Sequence, residues 1–446
     1  MINFDGLLDY QGPHLKNLLT VLKYNSAALD ASDTGVGKTY TACAVARELK
    51  TVPFLIAPKV AIPTWERVAK HIGIDMEAVN YEKVRGRRGD DGLTHTEWID
   101  EFKHGQGSYL KWKNPYSLII FDEVHNCGGS TTLNSKLLIA SKRQHKNILA
   151  LSATAADDPT QFKALGFALG LHDLKKYMNF LLAHGVTPGV FGGWSFTTNV
   201  DEQRKAMAKI HARVFPRRGA RLLKKNIPGF PRETLDIKLL PKPSAALERM
   251  AEELPSLNPS DLAAIQVLRQ ALESAKVPDA CALAREYAMT SKVAIFVNYH
   301  ETVRQMIKGL VAQGFELGRI GWITGDDFRP GTVNHFPTRD STVDAFQRNK
   351  IDVLIVTHGA GGASISLHDP YEQYDRTGLH FPTFSGKHLK QASGRLPRSG
   401  GGFVQQFLLY FQGTYEEKVA KILLGKLGNI DTLNDGLLDQ ILTGRT

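Results

Sequence analysis

The sequence predicts an α/β protein with two lobes, each built on a doubly wound parallel sheet. Short apolar runs rich in branched residues alternate with longer mixed stretches, which is the pattern of buried strands between helices. The runs cluster twice along the 446 residues, at about 25–155 and about 290–412. A chain of this length is expected to form two or three domains, each with its own core.

Six apolar runs are predicted to be strands. They cover residues 54–57, 117–121, 148–152, 234–239, 293–297 and 352–356, with helical stretches such as 39–49 between them. In sheets of this kind, ligands bind beyond the carboxyl ends of the strands. Polar motifs that directly follow these runs are therefore the candidates for a site.

Residues 160–290 are expected to be mainly helical, and they contain a basic segment. Residues 200–232 hold ten Lys and Arg side chains and two acidic ones, so this segment carries +8 of the formal net charge of +10. Such a charge indicates a polyanionic partner, although a solvated helix face would have the same composition. The sequence Pro-Gly-Phe-Pro at 228–231 predicts a hinge. The predicted domains are lobe one at 1–165, a basic helical insertion and hinge at 166–230, and lobe two at 231–446.

Composition argues against several classes of protein. No run approaches 18 apolar residues, so no membrane span is expected. The N-terminus lacks the basic and apolar regions of a secretion signal. The three cysteines are far apart and fit neither a disulfide framework nor a zinc site. A reducing compartment is expected, the cytoplasm or the nucleus of a eukaryotic host.

Residues 31–39, Ala-Ser-Asp-Thr-Gly-Val-Gly-Lys-Thr, form a glycine-rich turn that leads into a helical stretch. Such a turn presents backbone N–H groups to phosphates, together with the first amides of the helix. Lys38 would reach the terminal phosphates, and Thr39 would offer its hydroxyl to Mg²⁺. The consensus has glycine at the position of Ser32, which is small enough to fit. The predicted nucleotide-binding residues of the loop are Thr34, Gly35, Val36, Gly37, Lys38 and Thr39.

The sequence Asp122-Glu123-Val124-His125 begins 83 residues after Thr39, directly after an apolar run. Asp122 is predicted to hold Mg²⁺, directly or through water, and Glu123 to orient and deprotonate the attacking water. Alone, this pair would be interpreted as solvated carboxylates at a strand end. Beside a phosphate loop, it predicts hydrolysis of a nucleoside triphosphate.

These motifs, with others along nearly the whole chain, resemble the superfamily 2 helicases and translocases in their DExH form. The further segments that carry the resemblance are Tyr10-Gln11 and residues 57–65, 152–154, 296–299, 357–367 and 391–398. The resemblance implies two RecA-like lobes, the cofactors ATP and Mg²⁺, and nucleic acid as the partner.

The resemblance also assigns roles to residues. Gln11 would read adenine, while Lys59 and Thr357 would contact the nucleic-acid backbone. Coupling between hydrolysis and lobe movement would use His125, Ser152, Thr154, Gly361 and Gln391.

Arg395 and Arg398 lie in the last of these segments, and the resemblance makes them arginine fingers. They are three residues apart, so on a helix they would share one face. A finger is worth ~10³–10⁵ in rate, and on the second lobe it would make hydrolysis depend on lobe closure. A surface helix whose arginines pair with carboxylates or with the phosphate backbone is the alternative interpretation.

Within the superfamily, the chain most resembles the compact Swi/Snf-type ATPases of phages and large DNA viruses. The resembling segments are Ala57-Pro58-Lys59 with Trp65-Glu66, the passage 218–234, residues 361–369 and the ending 426–436. Leu396-Pro397 stands where a His-Arg pair is frequent, and no segment resembles the accessory domains of chromatin remodellers. A minimal DNA translocase is therefore expected rather than a chromatin remodeller.

The track for nucleic acid is predicted to include Arg217, Arg218 and Arg221 of the basic segment, together with Lys59 and Thr357. Contacts to the phosphate backbone carry no sequence information, so binding should be sequence-tolerant and sensitive to salt. Trp65 is expected to be a core residue rather than a base-stacking one.

The function predicted from these observations is an ATP-dependent translocase on double-stranded or branched DNA, in replication, recombination or repair. Two alternatives stay open: a strand-separating helicase on RNA or single-stranded DNA, and an ATP-regulated nucleic-acid-binding switch without sustained movement. A degenerate binding module is disfavoured because the catalytic residue types are all present. DNA is preferred over RNA as partner, a replication or recombination protein is expected beside it, and the chain is expected to be a monomer.

Overall fold

The computed structural model describes residues 2–105, 107–129, 131–144, 146–189, 193–241, 262–325, 335–361, 365–383 and 385–435. The chain divides into two compact units. The described parts of residues 1–227 and 426–446 form the first, and those of Pro228–Gly425 form the second. The division at Pro228 falls at the sequence Pro-Gly-Phe-Pro. The predicted insertion at 166–230 is not a separate body, because its residues up to 227 belong to the first unit.

The first unit alternates helices and strands. Its helices are α1 Gln11–Asn25, α2 Lys38–Glu48, α3 Ile62–Ile72, α4 Tyr81–Arg85, α5 Leu133–Arg143, α6 Phe162–Ala168, α7 Tyr177–Ala183 and α8 Val200–Val214. Its strands are β1 Ala27–Asp30, β2 Phe54–Ala57, β3 Glu77–Asn80, β4 Ile99–His104, β5 Gly107–Trp112, β6 Leu118–Asp122, β7 Asn147–Leu151, β8 Val186–Pro188, β9 Trp194–Phe196 and β10 Gly219–Ala220.

Among the described residues of this unit, a six-stranded parallel sheet has the order β10-β1-β7-β6-β2-β3. The central strands are buried on both faces, which explains their continuous apolar sequences. Because β1, β7 and β6 are neighbours, the segments that follow them lie at one edge of the sheet. The phosphate loop, residues 152–154 and the Asp122-Glu123 pair are therefore brought together by topology.

Strand β10 and helix α8 explain why the basic segment belongs to the first unit. Gly219 and Ala220 pair with Leu29 and Asp30 of β1, which extends the sheet on that side. On α8, Met207 and Ile210 are buried in the same apolar cluster as the central strands. This hydrophobic burial attaches the helix to the lobe, while its basic side chains stay on the outer face.

Two short antiparallel hairpins, β4–β5 and β8–β9, accompany the main sheet. In β4–β5, Phe102 stands opposite Tyr109 on the exposed face, and the two rings stack with centroids 5.4 Å apart. The other face buries Ile99, Leu110 and Trp112 against the lobe.

The second unit repeats the architecture of the first. Its helices are α9 Leu262–Ala275, α10 Val277–Tyr287, α11 His300–Ala312, α12 Arg339–Gln347, α13 His358–Gly361, α14 Gly386–Ser393 and the first half of α15 Tyr415–Asp435. Its strands are β11 Glu233–Leu240, β12 Ser291–Val297, β13 Ile320–Ile323, β14 Val353–Thr357, β15 Asp375–His380 and β16 Val404–Phe411. The described strands form a parallel sheet in the order β11-β16-β15-β12-β14-β13. The predicted fold of two RecA-like parallel-sheet lobes is confirmed.

Helix α15 is divided between the two units at residue 425. In its second half, Leu433 is fully buried in the core of the first unit. Lobe two was predicted to reach residue 446, but the described residues from 426 onward belong to the first unit. In the part of the chain that the structure describes, no helix, α15 included, is both long and apolar enough to cross a bilayer.

Candidate active site

The phosphate loop joins β1 to α2 with two glycines in the left-handed region, Gly35 at φ 86° and Gly37 at φ 87°. L-residues rarely adopt this conformation, so the turn requires glycine at both positions. A Cβ atom on Gly37 would also lie 2.1 Å from Nε2 of Gln11. Helix α2 starts at Lys38, so its first amides directly follow the loop, as an anion site requires.

The side chain of Gln11, the predicted adenine reader, is buried against this loop. Its Nε2 donates to the carbonyls of Val36 at 3.1 Å and Gly37 at 3.3 Å, while its Oε1 accepts from the N–H of Leu8 at 2.9 Å. These bonds fix the amide orientation beside the loop. The role in adenine reading stays a prediction.

Lys38 lies over its own loop. Its Nζ donates to the carbonyls of Ser32 at 2.8 Å and Asp33 at 2.9 Å. Burial lowers the pKa of Lys38, and the charges of Asp30, Glu123, Asp33 and Asp122 act against that shift. The charges of the acidic pair thus act on the ammonium group of the phosphate loop.

Ser32 uses its hydroxyl in a way that glycine could not. Its Oγ accepts the N–H of Leu222 at 2.9 Å and lies 3.1 Å from Nε2 of His14. His14 also lies 3.1 Å from Oδ2 of Asp30, and both side chains are buried. Burial would raise the pKa of Asp30, but the charge and hydrogen bond of His14, together with the charge of Lys38 and the hydrogen bond of Ser32, hold the pKa below its usual value. This network was missed from sequence, and only the departure from consensus at Ser32 hinted at it.

Asp122 ends β6, and both of its carboxylate oxygens accept a hydrogen bond. Oδ2 accepts from Nε1 of Trp65 at 2.8 Å, and Oδ1 accepts from the N–H of Glu123 at 3.0 Å. Burial and the charge of Glu123 raise the pKa of Asp122 above its usual value. Trp65 is only 1% exposed, which agrees with its expected place in the core.

Glu123 adopts φ 51°, a left-handed conformation that is uncommon for a residue other than glycine. Its Oε2 lies 3.3 Å from Nδ1 of His125, which in turn lies 3.2 Å from Oγ of Ser152. Ser152 Oγ also accepts the N–H of Thr154 at 3.1 Å. Three of the predicted coupling residues, His125, Ser152 and Thr154, therefore form one hydrogen-bonded group beside Glu123.

Oxygen donors at the site suit a hard cation such as Mg²⁺. The hydroxyl of Thr39 and the carboxylate of Asp122 are the candidates, and an ionised carboxylate with two accepted bonds keeps further lone pairs. Among the described residues, no group of three or more His, Cys, Asp or Glu side chains could enclose a metal alone. A magnesium ion held by these two oxygens would take its other ligands from water and from the nucleotide phosphates.

The predicted arginine fingers belong to the second unit. Arg395 follows α14 and is buried, and its carbonyl accepts the N–H of Leu367. Arg398 directs its guanidinium to the carbonyls of Gly394 and Pro397. Burial and the charge of Arg395 lower the pKa of Arg398 to about 9.

The remaining predicted residues lie in several places. Gln391 is buried on α14, Thr357 is buried at the end of β14, and Gly361 ends α13. Lys59 is exposed at the start of a short 3-10 turn before α3. Residues 362–364 and 436, which contribute to the resemblance, lie outside the described residues.

The three arginines of the basic segment differ in their surroundings. Arg217 is exposed, and Arg218 donates to the carbonyl of Arg213 at 2.9 Å. Arg221 is mostly buried, with Nη2 3.1 Å from Oδ1 of Asp33 and Nη1 2.6 Å from the carbonyl of Ala31. The sequence did not reveal that one of them stabilises the phosphate loop.

Two parallel-sheet lobes, with a phosphate loop after β1 and an acidic pair at the end of β6 on the same edge of the first sheet, define a two-lobed phosphate-loop ATPase. Comparison with known proteins gives the family. Residues 5–157 match the family model described as "Type III restriction enzyme, res subunit". A putative ATP-dependent RNA helicase of Acanthamoeba polyphaga mimivirus is 30% identical over 472 residues, covering 97% of this chain and 84% of the relative. The chain belongs to helicase superfamily 2 and is a nucleic-acid-dependent ATPase.

Two solved structures align over most of the chain at low identity. One is S. cerevisiae Dbp5 bound to RNA and ADP BeF3, with a TM-score of 0.48, 13% identity, and coverage of 93% of this chain and 87% of Dbp5. The other is the Sulfolobus solfataricus SWI2/SNF2 ATPase core in complex with dsDNA, with a TM-score of 0.36 and 15% identity. The alignment covers 97% of this chain and 93% of the Sulfolobus chain.

Proposed function

We propose that this ATPase is a translocase of the compact Swi/Snf type that moves along double-stranded or branched DNA. The proposed coupling of nucleic-acid binding to hydrolysis rests on the hydrogen bond from Trp65 to Asp122. Trp65 lies on α3, and the exposed Lys59 lies in the turn just before that helix. A nucleic-acid phosphate bound at Lys59 would shift the start of α3. Through Trp65, this shift would change the position of the Asp122 carboxylate. Stimulation of hydrolysis by nucleic acid follows from this connection.

At the site, each side chain has a role that its contacts support. Lys38 would exchange the carbonyls of its own loop for phosphate oxygens, and Glu123 would orient and deprotonate the attacking water. Asp122 and Thr39 would hold Mg²⁺, which supplies positive charge at the phosphates when bound. His125 and Ser152 restrict the orientation of Glu123.

Arg395 and Arg398 would supply further positive charge to the transition state. Arg398 now donates to backbone carbonyls at the end of α14. Phosphate oxygens are stronger acceptors for a guanidinium than neutral carbonyls, so the exchange is favourable once the nucleotide is within reach. Hydrolysis would then require the two units to meet around the nucleotide.

Nucleic acid would be held by Lys59, Thr357, Arg217 and Arg218. The preference for DNA rests on the resemblance of residues 57–66 and 361–369 to Swi/Snf-type ATPases. Backbone contacts of this kind predict affinity that falls with salt and depends little on sequence.

A strand-separating helicase on RNA or single-stranded DNA is the second candidate, and two observations favour it. The β4–β5 hairpin exposes the stacked rings of Phe102 and Tyr109, and exposed aromatic rings suit unpaired bases. In addition, the mimivirus relative is called an RNA helicase.

The deciding experiment measures ATP hydrolysis with duplex DNA, single-stranded DNA, branched DNA and RNA, and Lys38→Ala controls for contaminating ATPase. Greatest stimulation by duplex or branched DNA, together with ATP-dependent displacement of a third strand from a duplex, supports the proposal. Greatest stimulation by RNA or single strands, together with unwinding, supports the helicase. Stimulated hydrolysis without displacement or unwinding would identify a switch.

A further inference from the structure

The second half of α15 lies against the segment that follows β7. Asn429 and Asn434 are both buried, and His211 Nδ1 donates to the carbonyl of Leu433 at 2.8 Å. Residues 426–436 contributed to the family resemblance, yet the proposed function gives them no task. A buried amide is costly unless it is hydrogen-bonded, so these two asparagines call for a reason.

The two amides bond to different parts of the first unit. Asn429 Nδ2 donates to the carbonyl of Asp157 and to Oε1 of Gln203, both at 3.1 Å. Asn434 Nδ2 donates to the carbonyl of Ala153 at 2.8 Å. Asn434 thus bonds inside the Ser152–Thr154 segment, whereas Asn429 bonds beyond it.

The bond to Ala153 has a specific geometric effect. The carbonyl of Ala153 and the N–H of Thr154 are two ends of one planar peptide group. Asn434 holds the oxygen end at 2.8 Å, and Ser152 Oγ accepts the nitrogen end at 3.1 Å. Rotation of this plane would therefore break both bonds together.

The Ser152 hydroxyl is also connected to Glu123 of the catalytic pair through His125. Ser152 Oγ lies 3.2 Å from His125 Nδ1, and His125 Nδ1 lies 3.3 Å from Glu123 Oε2. A continuous series of contacts thus joins Asn434 to the carboxylate that would activate water.

We propose that Asn434 is a positioning residue for ATP hydrolysis. It fixes the peptide between Ala153 and Thr154, which keeps the Ser152 hydroxyl directed at His125 and so restricts Glu123. The geometry at Glu123 therefore depends on how the last turn of α15 packs against the first unit. The inference rests on the role proposed for Glu123 and not on the identity of the nucleic acid.

Asn429 provides a matched control, because it is a buried asparagine on the same helix with the same kind of bond. The variants Asn434→Ala and Asn434→Asp are compared with Asn429→Ala and Asn429→Asp. The change to Asp removes the donating Nδ2 while keeping the shape of the side chain. Each variant is measured for kcat, KM for ATP, affinity for a fluorescent ADP, and Tm.

We expect both Asn434 variants to lower kcat about tenfold, with KM and ADP affinity changed less than about twofold. The Asn429 variants should lower Tm by a similar amount but keep kcat near that of the parent. Equal losses of kcat in both pairs, or a loss of Tm alone at Asn434, would overturn the proposal and make the helix purely structural.

Should Asn434→Ala not fold, Asn434→Ser is used in its place. Its hydroxyl can bond within the helix but is too short to hold the carbonyl of Ala153. Unchanged kcat in folded Asn434→Ser would also overturn the proposal. All assays include hydrolysis without nucleic acid, so the comparison remains decisive even if the translocase proposal fails.

Discussion

Arg221 and Asp33 form an ion pair, with Nη2 3.1 Å from Oδ1, and this pair joins the basic segment to the phosphate loop. We therefore expect Arg221 to support nucleotide binding, and we do not expect this of the nearby Arg217, which is exposed to solvent. The basic segment is thus expected to stabilise the phosphate loop through Arg221 and to contact nucleic acid through Arg217.

Arg221→Ala is expected to weaken ATP binding by about 2 kcal/mol, or about 30-fold, because the loop loses a largely buried charge-assisted contact. Arg217→Ala should leave ATP affinity unchanged but reduce affinity for nucleic acid and the slope of its salt dependence. Nucleotide titrations and DNA titrations at several salt concentrations test both. Equal effects of the two variants on ATP affinity would contradict the separate roles.

Lys38→Ala and Glu123→Gln should each lower kcat by at least ~10²–10⁴. The two should differ in binding, because Lys38 would contact phosphate whereas Glu123 would act on water. Fluorescent-nucleotide titration should show weak binding for Lys38→Ala and near-normal binding for Glu123→Gln. Glu97→Gln, at an exposed carboxylate, is the control and should behave as the parent chain. Normal turnover in Glu123→Gln would remove it from the mechanism.

Trp65→Phe should reduce the ratio of nucleic-acid-stimulated to basal hydrolysis. The substitution keeps an aromatic ring but removes the Nε1 donor that Asp122 accepts at 2.8 Å. A several-fold fall in the ratio, about tenfold at most, is expected from the loss of one hydrogen bond to a charged group. Trp112→Phe is the matched control, since its buried Nε1 donates to Ser141 Oγ at 3.1 Å and so joins β5 to α5 instead. If the ratio of stimulated to basal hydrolysis is unchanged in both variants, the Trp65–Asp122 hydrogen bond does not couple nucleic-acid binding to hydrolysis.

Arg398→Ala should slow hydrolysis by ~10³ or more while ADP affinity stays nearly constant, as expected for a group that acts on the transition state. The exposed Arg348, paired with Asp344 at 2.8 Å, offers a control at which alanine should change little. Pre-steady-state measurements would separate hydrolysis from product release. A large loss of nucleotide affinity at unchanged kcat would instead make Arg398 a ground-state contact.

The second unit should be sensitive to acid through the buried His358 and His380 and the partly buried His368. Burial lowers the pKa of His358 to about 3, of His368 to about 4 and of His380 to about 4. Each is neutral in the fold but takes up a proton when unfolded below about pH 6.5. The folded-state pKa is depressed, so the stability they give is present above pH 6.5 and is lost as the pH falls toward 4.

Thermal melts between pH 7 and pH 4 test this expectation, with an assay that follows the second unit. His380→Gln should flatten the dependence of Tm on pH, because glutamine does not titrate and can still reach Gln406, the partner of His380 at 2.9 Å. The exposed His335 of the second unit provides a control by the change His335→Gln. A pH slope unchanged in His380→Gln would assign the acid sensitivity to other groups.

The sequence predicted what depends on local pattern. Buried parallel strands appear as continuous apolar runs, and the observed β2, β6 and β14 agree with the predicted runs within a residue or two. The position of Asp122 followed from the same logic, since topology places strand ends together. The place of Trp65 in the core was also anticipated, although its bond to Asp122 was not.

Contacts between residues far apart in the chain could not be predicted from the sequence, because no local sequence pattern specifies the partner. Strand β10 is only Gly219-Ala220, too short to show a period, and its partner β1 lies nearly two hundred residues earlier. The contact of Asn434 with Ala153 likewise joins two distant residues of ordinary type. The domain limits at 165 and 230 were placed by composition, whereas burial of α8 and Leu433 sets the limits of the first unit.

Strand β10 also determines which fragments of this ATPase would keep an intact nucleotide site when expressed alone or transferred to a relative. A fragment that stops at residue 165 would leave one side of β1 as a bare edge, prone to pairing with other chains. In such a fragment Ser32 would lose its hydrogen bond from the N–H of Leu222. Asp33 would lose its ion pair with Arg221 and its hydrogen bond from the N–H of Lys224. The smallest portable nucleotide module of this chain therefore reaches at least to residue 227, well past the stretch that its family signature covers.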